Sequence, residues 1–186
     1  MVTLIYKDGK IIYNKEMGDF NANTKVSIAS CSKWLTAALV MTFVDEGKLL
    51  LDDKVSKYLP IFQDYGKGYI TIRQCLSHLT GIQGDQPGLM SIIKMSRYTS
   101  LENEVNYFAS KHESKHEIQA SPGTKFRYNN IGLNIADRVL EVISKKPFER
   151  LMQDRIFRPL NMKSSSFASE RSVNPSGGAK ARQMII

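Results

Sequence analysis

The chain has 186 residues, 42% hydrophobic and 24% charged, a balance that suits a soluble globular protein whose core needs no disulfide. Its net charge of +8, from 26 basic and 18 acidic residues, would allow an anionic partner. The Lys and Arg are scattered, however, without aromatic interleaving or a nucleic-acid motif, so a solvated basic surface is expected and a nucleic-acid partner is not.

From the N-terminus, Met1 to Gly9 lacks the basic start and long apolar run of a signal peptide. Val2 to Tyr6 and Lys10 to Tyr13 are β-prone and flank Asp8-Gly9, which predicts a hairpin. Ser27 to Gly47 reads as one helix with its lead-in, with Leu35, Leu39, Thr42 and Phe43 at helical spacing and Gly47 as the stop. Its most apolar part, Trp34 to Val44, is shorter than the about 20 residues that cross a bilayer, so no membrane span is expected. A turn-rich connection covers Leu49 to Pro60. Thr71-Ile72-Arg73-Gln74 has capping-box form and starts a helix that ends before Gly81. Cys31 and Cys75 fall in apolar helical contexts and are expected to be buried free thiols rather than a disulfide pair.

Residues 83 to 97 fit neither helix nor strand clearly. Ser100 is placed to cap a helix running toward His112. Pro122-Gly123 breaks the chain, and a helix follows over Asn130 to Ser144 with Ile131, Ile135, Val139, Val142 and Ile143 on its inner face. Pro147 opens another helix that buries Phe148, Leu151 and Met152 and stops at Pro159. The tail beyond Phe167 is polar, with a loop-like Asn174-Pro175-Ser176-Gly177-Gly178.

The chemistry centres on Ser30-Cys31-Ser32-Lys33, a Ser-x-x-Lys motif. The pattern alone is weak, since Ser91-Ile92-Ile93-Lys94 also fits it. Ser30 differs in lying where a helix begins, so backbone N–H groups and the helix dipole would favour an oxyanion formed there. Lys33 stands one turn on, on the same face, within reach of the hydroxyl. A lysine acts as a base only when neutral, which requires desolvation or a nearby cation. Tyr128-Asn129-Asn130, the one Tyr-x-Asn in the chain, lies between the Pro-Gly break and a helix start. Tyr128 could share a proton with a serine hydroxyl, and Asn130 could donate to and accept from a substrate amide. Alternatively, the tyrosine belongs to the core and the asparagine caps the helix.

Taken together, Ile28-Ala29-Ser30-Cys31-Ser32-Lys33-Trp34-Leu35-Thr36-Ala37 resembles the nucleophile helix of the serine β-lactamase and penicillin-binding-protein superfamily. It is most similar to the branch of class C β-lactamases, D-alanyl-D-alanine carboxypeptidases and related esterases. Glu46-Gly47-Lys48-Leu49 with Asp52-Asp53, Tyr58-Leu59-Pro60, Leu76-Ser77-His78-Leu79-Thr80-Gly81, Pro122-Gly123-Thr124, Phe126 to Asn130 and Arg158-Pro159-Leu160-Asn161-Met162 extend the likeness in order along nearly the whole chain.

The resemblance implies an α/β, serine β-lactamase/transpeptidase-like fold, here mostly helical with an N-terminal hairpin. Residues 1–60 and 147–186 would form a partial α/β layer, and residues 61–146 a helical insert carrying Tyr128. Ser30 would be acylated by an amide or ester, Lys33 and Tyr128 would move its proton, and Asn130 would hold the substrate amide. The substrate would be a β-lactam, a D-Ala-D-Ala peptide or a small ester, with no cofactor and no metal. His78 would be structural, as a cap or core residue. Family members work mostly outside the cytoplasm.

The third family motif, Lys-Thr-Gly or His-x-Gly on a late strand, has no counterpart, since Lys7-Asp8-Gly9 occupies a hairpin turn. Most of the family sheet is likewise missing, so the chain is expected to be a truncated product with impaired activity. Loss of one oxyanion donor costs about 2.7–4 kcal/mol of transition-state stabilisation. Two alternatives follow. One is a non-catalytic fragment that binds a peptide or a partner chain. The other is a zinc protease through His112, Glu113 and His116, a His-Glu-x-x-His match weakened by Lys115 within it and by the lack of a third ligand downstream.

Overall fold

Two consecutive residues with positive φ, Asp8 at 50° and Gly9 at 77°, turn the N-terminal segment back on itself as a two-residue hairpin requires. The strands are β1 (Val2–Lys7) and β2 (Lys10–Glu16), antiparallel, with Ile5 opposite Tyr13 and a register shift between Ile5 and Tyr6. The computed structural model describes residues 1–82, 100–110 and 120–167, and among these the hairpin is the whole sheet. Both of its faces meet solvent: Leu4, Ile5, Ile11 and Ile12 are all exposed.

A 3-10 turn (Ala29–Ser32) leads into α1 (Lys33–Asp45), and Gly47 ends the helix at φ 66°. Leu35, Leu39 and Phe43 are buried as the periodicity predicts, but the helix is apolar around most of its girth. Trp34 on the other side is 64% exposed, and Met41 is exposed as well. Arg155 ties the C-terminal end of α1 down. Its guanidinium lies 4.2 Å from the Phe43 ring centroid and donates to both Glu46 carboxylate oxygens at 2.7 and 2.9 Å.

The connection to α2 (Ile61–Asp64) and α3 (Ile72–Leu76) folds on itself, with Val55 N–H donating to Ile70 O and Ile72 N–H to Asp53 O. The capping box forms in full: Gln74 N–H donates to Thr71 Oγ1, and Thr71 N–H donates to the Gln74 side chain. The next helix, α4 (Leu101–Ser110), starts at Ser100, whose hydroxyl accepts from Asn103 N–H at 3.1 Å. At its far end the buried Lys67 ammonium donates to the Phe108 and Ala109 carbonyls, satisfying groups that a helix terminus leaves open.

The longest helix among the described residues, α5 (Ile131–Ser144), buries Ile131, Ile135, Val139 and Leu140. Val142, expected on this inner face, is 36% exposed instead. Leu140 completes the buried stripe four residues after Ala136, so the register is turned slightly from the one the apolar pattern predicted. Lys145 closes α5 in a left-handed conformation with its N–H on Glu141 O. Pro147 then opens α6 (Phe148–Met152), which runs on as one π-helical turn, Gln153–Phe157. One apolar cluster joins α1, α3, α4, α5 and α6 and ends on Phe167, packed against the Phe148 and Phe157 rings.

Both cysteines are free thiols, but only Cys75 is buried. Cys31 is exposed, because the turn that carries it faces away from the core. Ser91 to Lys94, the 112–116 stretch and the 174–178 loop lie outside the described residues.

Candidate active site

Ser30 sits in the 3-10 turn before α1, directly after Ala29, whose φ of 44° is unusual for a residue with a Cβ. Ser32 Oγ donates to Ala29 O at 2.7 Å and fastens this turn. Lys33, the first residue of α1, points back along the helix. Its ammonium donates to Ser30 Oγ at 2.9 Å, a length typical of a charge-assisted bond. The spacing of three residues thus brings nucleophile candidate and cation together as the sequence predicts.

Tyr128 arrives from a different part of the chain. The loop between Pro122 and α5 lies along the end of α3, with Gly123 N–H donating to Leu79 O at 2.8 Å and Arg127 N–H to His78 O at 2.9 Å. Asn129 fixes the loop from within. Its amide nitrogen donates to Ile82 O and Arg127 O, and its amide oxygen accepts from Ile131 N–H at the start of α5. Tyr128 is held by its neighbours while its own side chain stays exposed. Lys33 Nζ lies 5.0 Å from its ring centroid. Hydrogen bonding to Lys33, and then to Ser30, pulls the Tyr128 phenol below the ordinary tyrosine range.

Asn130 is the N-cap residue of α5, yet its side chain makes no capping bond. The capping duty expected of an asparagine here falls to Asn129. Asn130 is exposed beside Tyr128, with its amide uncommitted to the helix start. The core placement considered for Tyr128 does not hold, since its side chain is exposed, while a capping asparagine is present one residue earlier, at Asn129.

His78, expected as a cap or core residue, forms part of the site wall. It is half-buried, and its ring centroid lies 4.5 Å from that of Tyr128. Burial first, and the Lys33 charge second, hold its imidazole below the ordinary histidine range. It lies two residues beyond the five-residue α3, at φ 59°, and its sign in the sequence was its place in the Leu76 to Gly81 match. Among the described residues no cluster of three or more His, Cys, Asp or Glu side chains could hold a metal ion, and no helix is long and apolar enough to cross a membrane.

A hydroxyl, an ammonium and a phenol thus come together at the start of α1. Residues 1–180 match the sequence profile of the family described as Beta-lactamase, and the chain belongs to that family. It is 29% identical over 175 residues to "Protein flp" of Staphylococcus aureus strain MW2, covering 88% of this chain and 34% of that protein. It is 27% identical over 145 residues to the D-alanyl-D-alanine-carboxypeptidase/endopeptidase AmpH of Escherichia coli K12, covering 76% of this chain and 36% of AmpH. A candidate β-lactamase from Bacteroides dorei DSM 17855 superposes with a TM-score of 0.81 at 33% identity, over 98% of this chain and 53% of that one. EstCE1, a hydrolase with promiscuous acyltransferase activity, gives a TM-score of 0.76 at 26% identity, covering 93% and 49%. The chain thus spans about a third of these curated relatives (34% and 36%) and about half of these solved structures.

Proposed function

We propose that the protein is a serine hydrolase of the β-lactamase family that forms a covalent acyl-enzyme at Ser30. The observation that carries this reading is the 2.9 Å contact from Lys33 Nζ to Ser30 Oγ, with the Tyr128 ring centroid 5.0 Å from the same ammonium. Because Lys33 donates to the serine oxygen, the serine proton is left to point toward the phenol oxygen. Lys33 favours the phenolate of Tyr128, and that phenolate takes the Ser30 proton as Oγ attacks the substrate carbonyl carbon. The tetrahedral intermediate collapses with cleavage of the C–N or C–O bond, and Tyr128 returns the proton to the leaving nitrogen or oxygen. Water then enters, gives a proton to the same base and releases the acid, regenerating the Ser30 hydroxyl. Asn130, its amide uncommitted to the helix, is the group suited to hold the substrate amide.

The substrate class is a β-lactam, a D-alanyl peptide or a small ester. The name of AmpH supports the peptide member of that set, the acyltransferase activity of EstCE1 supports acyl transfer, and an extracytoplasmic setting accords with the peptide. The test is intact mass after exposure of the folded chain to benzylpenicillin and, separately, to p-nitrophenyl acetate, beside Ser30→Ala. An acyl adduct on the wild type alone is expected. A folded wild-type chain that gains no mass from either reagent would exclude acyl transfer and favour reversible binding of peptide or partner.

A further inference from the structure

Tyr128 is exposed, so its own burial cannot fix it. Against its loop lies a histidine fifty residues earlier in the sequence. His78 contacts four consecutive loop residues in four different ways. Its ring packs edge-on against Phe126 with centroids 5.7 Å apart, and its carbonyl accepts from Arg127 N–H at 2.9 Å. Its ring lies tilted against Tyr128 at 4.5 Å, and its Nδ1 accepts from Asn129 N–H at 3.4 Å. The residues on either side of Tyr128 are thus tethered to one side chain and its backbone.

We propose that His78, as a neutral imidazole, is the positioning residue for Tyr128, holding the phenol against Ser30 and Lys33 through its acceptor bond to Asn129. This rests on the proton-handling role proposed above for Tyr128. The acceptor bond requires a lone pair on Nδ1 and therefore the neutral ring. Protonation would set N–H against N–H at Asn129. It would also add a second positive charge beside Lys33, with Tyr128 the titratable ring packed against the imidazole and Arg127 meeting His78 through its backbone N–H. Burial and Lys33 both favour the neutral form at neutral pH. Since the folded state holds the imidazole below its usual range, the tether is complete above the ordinary histidine pKa and is lost as the pH falls through the lowered value.

The test compares the wild type with His78→Asn and His78→Gly. Asparagine tolerates the φ of 59° and keeps an acceptor on its side chain, whereas glycine tolerates the φ but removes acceptor and ring. At saturating p-nitrophenyl acetate, His78→Gly should acylate Ser30 about tenfold to hundredfold more slowly with the apparent binding constant little changed, while His78→Asn recovers most of the rate. A folded His78→Gly chain that acylates at the wild-type rate, or a His78→Asn chain as slow as it, would overturn the proposal. A second readout needs no turnover. In a pH titration followed by NMR, the Asn129 amide shift should track the His78 imidazole, and independence of the two signals would overturn the tether even if Ser30 proves unreactive.

Discussion

Gly132 on α5 faces the backbone of Cys75 on α3 so closely that a Cβ added to it would lie 2.5 Å from the Cys75 carbonyl oxygen. The contact is backbone against backbone, so no side-chain rotation can relieve it. It matters for the site because His78 lies two residues beyond the end of α3 and Tyr128 three residues before the start of α5. The close crossing of these two helices sets how near the imidazole comes to the phenol-bearing loop.

Gly132→Ala should therefore cost about 1–3 kcal/mol, the usual cost of forcing extra volume into a packed core. Urea denaturation would read it as a lowered midpoint at unchanged slope. A midpoint equal to the wild type would mean that the two helices are less tightly apposed than described.

The two thiols should behave as opposites. Cys31 is exposed beside Ser30, whereas Cys75 is fully buried and its thiol is pushed far up by desolvation. A thiol-specific chromogenic reagent should titrate one group in the native chain and both after denaturation. Native labelling of Cys75 on the same timescale as Cys31 would contradict the packing of α3.

Asn129 and Asn130 should separate stability from chemistry. Asn129→Ala removes bonds to Ile82, Arg127 and Ile131 and should destabilise by about 1–3 kcal/mol. Asn130→Ala should change stability by less than about 0.5 kcal/mol, as for an ordinary surface substitution, while weakening substrate binding. Equal stability losses in the two variants would show that Asn130 also serves the helix start.

Acid should loosen the hold of Arg155 on the end of α1. Hydrogen bonds from Arg155 and then Lys48 bring the Glu46 carboxyl from 4.5 down to about 2. A carboxylate held low contributes its stability above its unfolded pKa and loses it as the pH falls through the folded one. The difference in Tm between wild type and Glu46→Gln should be full above pH 4.5 and should shrink as the pH approaches about 2. A difference constant across that window would mean that the ion pair contributes nothing.

What could be read from the residues follows from how local each feature is. Asp8-Gly9 demands two positive φ values, Thr71 and Gln74 satisfy each other across one helical turn, and Ser30 meets Lys33 across another. All three were legible because the partners are at most three residues apart. The His78 tether spans 51 residues and depends on how α3 crosses α5, which no local pattern encodes. Which of Asn129 and Asn130 serves the helix was equally hidden, because both residue types suit a cap and the backbone angles decide between them. The exposure of Cys31 and Val142 escaped for a third reason: apolar spacing tells which residues share a face, not how much of that face is covered.

The most direct test of the account is the rate of Ser30 acylation in a stopped-flow mixing experiment with p-nitrophenyl acetate, for the wild type, Lys33→Ala and Tyr128→Phe. Lys33→Ala removes the donor to the serine hydroxyl and Tyr128→Phe the phenol proposed to take its proton, and each should slow acylation by about 10²–10⁴-fold, the range for a lost acid–base partner, with the fold intact by circular dichroism. Wild-type rates in both folded variants would contradict the claim that Lys33 and Tyr128 activate Ser30.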